Sequence, residues 1–144
     1  KFITYVDENI YFSRDQYLFN RGYKKTSDPD LFIKNLNEFF LMIEQKYNSK
    51  VIIACSKKFK YKKNPFNGRN IIYGKTHDLI SKSKIVIGHR SDVLYQALYS
   101  KTPVILVKHK TFSLLRNLYI DFKSVNIFNK QSYYIEDYLK KMWI

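Results

Sequence analysis

The sequence predicts an α/β protein, a three-layer Rossmann-like sandwich with a mostly parallel sheet. Two apolar runs, 85–87 (IVI) and 104–107 (VILV), are continuous rather than alternating, as strands buried on both faces of a parallel sheet are. Helical spacing lies around them, so that 71–107 reads strand, helix, strand, helix, strand. A short turn, Gly88-His89-Arg90-Ser91-Asp92, joins the first run to its helix. In a parallel α/β sheet that turn is the carboxyl end of a strand, where ligands bind.

The remaining elements follow in chain order. Residues 2–6 (FITYV) form a first strand that Asp7-Glu8-Asn9 ends at its carboxyl edge. The span 10–28 is a long connection, rich in aromatics and charge, with no assigned element; connections of that length are usually functional or disordered. Asp28-Pro29 starts a helix, Asp as the cap and Pro in the first turn. Phe32, Leu36, Phe39, Phe40, Ile43 and Tyr47 then give one apolar stripe facing the core. Asn48-Ser49 breaks this helix, and 51–55 (VIIAC) is a second buried strand.

Residues 56–69 are a loop with a turn at Asn67-Gly68, and 71–73 a short strand. Thr76 is placed to cap a helix over 77–83, with Asp78 in its first turn. Strand 85–87, helix 92–99 and strand 104–107, preceded by Pro103, come next. A helix over 112–120, a last strand over 125–128 and a final helix over 133–143 capped by Ser132 complete the expected order.

At 144 residues, with 45% apolar and 17% aromatic residues, the chain reads as one folded domain over 1–144. No apolar run approaches the ~20 residues of a membrane helix. Acidic residues in KFITYVDEN stand where a signal peptide would be apolar. This points to a cytoplasmic location. The chain starts without Met on a strand, as a piece of a longer protein would. Cys55 is the single cysteine, which excludes an internal disulfide and a multi-Cys zinc site and fits a buried thiol. The net charge of +14 reads equally as attraction to phosphates, anionic lipid or acidic glycans and as the coding bias of an AT-rich genome.

The turn after 85–87 is the candidate phosphate site. Gly88 permits a sharp turn, Ser91 suits the cap, and His89 and Arg90 add donors beside free N–H groups at a helix start. Ser56 and Lys57, directly after a strand, are further candidates. Most lysines of the 57–63 loop read as solvated, although Phe59 and Tyr61 among them resemble a single-stranded nucleic-acid platform. Asp7, Glu8 and Asp15 read as solvated loop acids. GxGxxG, P-loop, HExxH and CxxC patterns are absent, and no metal or other cofactor is expected.

Three segments together, VIIACSKK (51–58), NPFNGRNIIYGKTHDLISKSKIVIGHRSDVLYQAL (64–98) and KTPVIL (101–106), with FITYVDENIYFSRD (2–15) before them, resemble the donor-binding half of GT-B glycosyltransferases. The likeness is to the bacterial capsule and lipopolysaccharide type, sialyltransferase-like, and covers about three quarters of the chain. It implies the C-terminal domain of a two-domain enzyme that binds a nucleotide-activated sugar, CMP- or UDP-linked, without a metal ion. The glycan acceptor would reach it through an N-terminal domain, at the cytoplasmic side of an anionic inner membrane. His89 and Ser91 match the family's H-x-S, Thr76 its "gkT" and Arg69 its "gR", so these carry over as donor-site candidates. The catalytic base is expected from the other domain and is not assigned here.

Two positions depart from the family. Ser56-Lys57 replace its His-Pro, and Asp92 stands where Thr is preferred, placing negative charge beside a phosphate. Both changes point to altered donor choice or to a degenerate, inactive transferase. A basic non-enzymatic module for RNA or an anionic membrane surface is the competing class, with nucleic acid the less favoured partner.

Overall fold

A computed structural model describes residues 1–11 and 26–141. Residues 12–25, most of the long connection and Asp15 with it, and residues 142–144, the end of the expected last helix, lie outside the described residues. The six strands are β1 (Ile3–Val6), β2 (Val51–Cys55), β3 (Ile71–Tyr73), β4 (Ile85–Gly88), β5 (Val104–Lys108) and β6 (Tyr133–Tyr134). They form one sheet in the order β3-β2-β1-β4-β5-β6. Every pairing in it is parallel. The helices are α1 (Pro29–Tyr47), α2 (Thr76–Lys82), α3 (Tyr95–Tyr99), α4 (Leu114–Asn126) and α5 (Ile135–Lys140). This is the expected three-layer Rossmann-like α/β sandwich.

Strand β1 lies at the centre, with Ile3 opposite both Val51 and Ile85 and Tyr5 opposite Ile53 and Ile87. All four of its residues are buried. Alternation along the strand sends its side chains to two different helix layers. Tyr5 meets Phe40 of α1 edge-on, with ring centroids 4.9 Å apart. Thr4 points the other way, where its hydroxyl donates to the Leu79 carbonyl of α2 and pairs with Ser83. Helices thus cover both faces, which is why β4 and β5 lack an alternating polar face.

Helix α1 forms as its sequence dictates. The Asp28 carboxylate accepts from the Leu31 N–H at 3.1 Å, Pro29 opens the first turn, and Asn48 ends the helix in the left-handed region at φ 48°. Phe32, Leu36, Phe39, Phe40 and Ile43 of its stripe are all buried. The turn at Asn67-Gly68 is present, with φ of 52° and 76°.

The carboxyl-terminal third departs from expectation. The span 125–128 is not a strand, because α4 continues to Asn126. Buried Lys123 and Ser124 anchor its last turns, Ser124 by donating its hydroxyl to the Lys130 carbonyl at 2.7 Å. The sixth strand is instead Tyr133–Tyr134, paired with Val107 and Lys108. Ser132 does not cap the last helix; its hydroxyl donates to Asp121. Thr76 is not a cap either. It is the first residue of α2, Lys75 holds the cap position, and no side chain caps the end. Among the described residues no helix is long and apolar enough to cross a membrane.

Phe40 joins α1 to the central strand. Phe40→Ala should therefore destabilise the domain by about 3–5 kcal/mol in urea unfolding. A loss below about 1 kcal/mol would contradict this packing.

Candidate functional site

The strand order places a topological switch point between β1 and β4, since the chain leaves these neighbours toward opposite sheet edges. Crevices outside the carboxyl ends of such strands are where open α/β sheets bind ligands. A cleft of about 640 Å³ lies there, lined by Asp7 and Glu8 after β1, Arg90, Ser91 and Asp92 after β4, and Tyr119, Phe122 and Lys123 of α4.

The residues after β4 are arranged differently from the expected open phosphate cradle. The Glu8 carboxylate already accepts from the backbone N–H of Arg90 at 2.7 Å and of Ser91 at 3.1 Å. The Arg116 guanidinium approaches its other oxygen at 3.2 Å, and the Arg90 Nε lies 3.8 Å from that same oxygen. Glu8 is thus no solvated loop acid. It occupies the position that an incoming anion would take. Burial disfavours its charge, but positive charge at His89 when protonated, the two N–H groups and Arg116 outweigh that and hold its pKa below the usual carboxylate value.

His89 is not at an exposed turn. It is wholly buried, because it continues the face of β4 that carries Ile87, and Ile87 is paired with Tyr5. Its Nδ1 lies 2.8 Å from the Val107 carbonyl and its Nε2 2.8 Å from the Tyr5 hydroxyl. A carbonyl can only accept, so Nδ1 carries the proton and Nε2 accepts from Tyr5. Burial lowers the His89 pKa, and the neutral ring is the form this geometry fits. Burial likewise raises that of Tyr5, with Asp7 and Glu8 adding to the effect.

Ser91 caps as expected, its hydroxyl accepting from the Val93 N–H at 3.4 Å, but the segment it caps is a 3-10 turn, Asp92–Leu94, followed by the five-residue α3. So short a helix adds little dipole to an anion site. Gly88 ends β4, and close packing explains it better than a turn: a Cβ would stand 2.6 Å from Leu94 Cδ2. Asp92 is fully exposed at the rim, where hydrogen bonding and charge from Lys123, 2.8 Å away, lower its pKa. The Lys123 ammonium also donates to the Arg90 carbonyl at 2.5 Å, locking the loop to α4. The Arg90 guanidinium lies over the Tyr119 ring, 5.8 Å from its centroid.

The other sequence candidates scatter. Ser56 and Lys57 follow β2 at the same carboxyl edge and are exposed, with the Lys57 stem lying against Gly74. Thr76 opens α2 after β3, also at that edge. Arg69 lies at the opposite, amino edge of the sheet, beside a cavity of about 1030 Å³ lined by Glu44, Asn48 and Val51 among others. There it pairs with Glu44 at 2.6 Å, and the same carboxylate accepts from the Val51 N–H. Arg69 is therefore a bracket between α1 and the sheet, remote from Ser91. The larger amino-edge cavity is also lined by charged residues, Lys1, Glu44, Lys50 and Arg69, but it lies away from the switch point, and its Arg69 and Glu44 are paired with each other.

Tyr61 of the lysine loop turns inward, donating its hydroxyl to Asp7 at 2.5 Å and meeting Phe66 edge-on at 5.4 Å. The buried Cys55 thiol also reaches Asp7, at 3.4 Å, and burial raises its pKa. Among the described residues no group of three His, Cys, Asp or Glu side chains could hold a metal ion. Arg116, Tyr119, Phe122 and Lys123 carry no motif that marks them as cleft residues. The first two lie in the expected helix 112–120 with nothing to show which face meets β1 and β4, and the last two lie beyond its expected end, in the part of α4 that runs on to Asn126.

No family model matches the chain, and neither a curated protein nor a solved structure matches it.

Glu8→Gln should cost about 3–5 kcal/mol, because it leaves buried Arg116 without its counter-charge. The sign with pH follows from the lowered pKa. Glu8 stabilises the fold above its unfolded value, near ~4.3, and this contribution fades as pH falls through the lower folded value. Urea unfolding of both proteins across pH should show the gap closing toward acid. A gap that is constant with pH would contradict the assigned charge. A separate check concerns Gly88→Ala, which should lose roughly 1–3 kcal/mol against buried Leu94 in the same measurement.

Proposed function

We propose that the chain is the donor-binding domain of a GT-B-type glycosyltransferase, acting on a nucleotide-activated sugar in bacterial surface polysaccharide synthesis. The observation that carries this reading is the switch-point cleft, where three carboxylates, two cations and two aromatic rings face one space. Asp7 and Glu8 offer acceptors for sugar hydroxyls. The exposed parts of Tyr119 and Phe122 suit the apolar face of a sugar or base. Arg90, held over Tyr119, is the group best placed to meet a phosphate.

The chemistry available is electrostatic. A sugar transfer leaves negative charge on the departing nucleotide phosphate, and a fixed guanidinium at the cleft mouth stabilises that charge. The acceptor and the base that deprotonates it belong to the N-terminal domain that the family likeness implies. Because Glu8 takes the two backbone N–H groups, the phosphate contact in this reading falls on the Arg90 side chain rather than on the turn. The family's H-x-S contact is thereby reduced to Ser91, with His89 acting from behind through Tyr5 and Val107.

The same Glu8 contact favours a second reading, a degenerate transferase that keeps the fold and has lost its donor. RNA binding is less well supported, since Tyr61 is committed to Asp7 and Phe66 instead of standing out as a stacking platform.

Thermal shift against CMP-, UDP- and GDP-sugars separates these readings. One donor class at a hundredfold excess over its Kd should raise Tm by roughly 8 °C, and Arg90→Ala should abolish most of that rise. No response to any nucleotide would favour the degenerate reading. Salt-sensitive stabilisation by an RNA oligomer alone would overturn the transferase reading in favour of a binding module.

A further inference from the structure

Helix α4 is packed with its polar face inward. Arg116, Asn117, Lys123 and Ser124 are buried along with Ile120. Their contacts explain this: Arg116 pairs with Glu8, Lys123 with Asp92, Asn117 donates to the His109 carbonyl and Ser124 to that of Lys130. The outward face is apolar instead. Leu114 is 77% exposed, Leu115 57%, Leu118 53%, Tyr119 53%, Phe122 61% and Val125 59%. Helix α3 lies beside it, where the Lys123 ammonium sits over the Tyr95 ring at 5.1 Å, and it adds exposed Leu98 and Tyr99. Solvated helices show the reverse arrangement, and exposed apolar surface on this scale marks an interaction site.

We propose that this face, α4 extended by α3, docks on an anionic lipid bilayer. Charge decides between the occupants. A second copy would set +14 against +14, whereas an anionic headgroup layer attracts this chain. Arg90 lies over Tyr119 of this face, and exposed lysines flank its two helices in the chain: Lys101 after α3, Lys110 before α4 and Lys130 after it, the last also donating to the Val104 carbonyl. Asp92 and Asp121 are each paired with a lysine, Lys123 and Lys108, and the Glu136 carboxylate accepts from the Lys110 backbone N–H at 2.7 Å. Leucines and aromatics would enter the headgroup–acyl boundary while the lysines meet lipid phosphates, the division of labour of an interfacial amphipathic helix. Tyr119 and Phe122 also line the switch-point cleft, so docking would set that cleft at the membrane surface. The inference stands whether or not the cleft binds a sugar nucleotide.

The test is flotation of the whole chain with phosphatidylcholine vesicles, with and without phosphatidylglycerol. The native protein should float with the anionic vesicles, less at high salt, and little with the neutral ones. Leu115→Ser/Leu118→Ser, confirmed as folded by circular dichroism, should weaken binding by more than about tenfold. A Leu118→Trp variant gives a readout that does not depend on loss: its added emission should shift to the blue on anionic vesicles and be quenched by brominated lipid. Three results would overturn the proposal. They are failure of the native chain to float, binding that Leu115→Ser/Leu118→Ser leaves intact, and a dimer by light scattering that this variant dissociates in the absence of vesicle binding.

Discussion

The carboxylate of Glu8 leaves the carboxyl end of β1 and accepts from the Arg90 and Ser91 N–H groups after β4, while Arg116 of α4 approaches its other oxygen. These contacts join elements 82 to 108 residues apart in the chain. They satisfy two backbone donors at a strand end where water would otherwise be needed, and they give a buried guanidinium its counter-charge. They also close the simplest anion site available to a parallel α/β sheet at its switch point. Behind them, His89 and Tyr5 form a neutral hydrogen-bonded pair in the core. The polar inner face of α4 follows from the same arrangement. A helix that must deliver Arg116 and Lys123 to the turn cannot also turn its leucines inward.

A ligand entering the cleft would therefore meet a carboxylate before it meets the turn's amides. Polyhydroxylated groups gain from such an acceptor, whereas a phosphate is repelled unless a cation stands between. Arg90 can play that part, being half-exposed and supported by Tyr119. The account of a sugar-nucleotide donor rests on this division, with hydroxyls toward Asp7 and Glu8 and phosphate toward Arg90. Asp92, whose charge stood against the phosphate reading, projects into solvent at the rim, paired with Lys123.

Much of the fold was legible because its causes are local. Continuous runs such as IVI and VILV require cover on both faces, and Asp28-Pro29 writes the start of α1 into two residues. The end of the chain was not legible. Val125, Ile127 and Phe128 suggest a strand, but α4 continues through 126, held by Lys123, whose partners lie more than thirty residues back, and by Ser124 on the Lys130 carbonyl, and β6 is only two tyrosines long. The cleft's edge was legible from the turn after β4, but its chemistry was not. Whether His89 faces water or Tyr5 depends on the β1–β4 register, and whether Glu8 is solvated depends on amides far along the chain. Arg69 shows the same limit: its short motif gives no hint that Glu44 holds it at the amino edge.

The central claim is that Glu8, as a carboxylate, occupies the amides of the switch-point turn. Following the amide proton and nitrogen shifts of Arg90 and Ser91 by NMR through an acid titration tests it most directly. Both amides should move together, with a midpoint below the ~4.3 of an ordinary glutamate, and the movement should vanish in Glu8→Gln. Amides that ignore pH in the native protein, yet shift on addition of inorganic phosphate, would mean that the turn is an open anion site and would contradict the account.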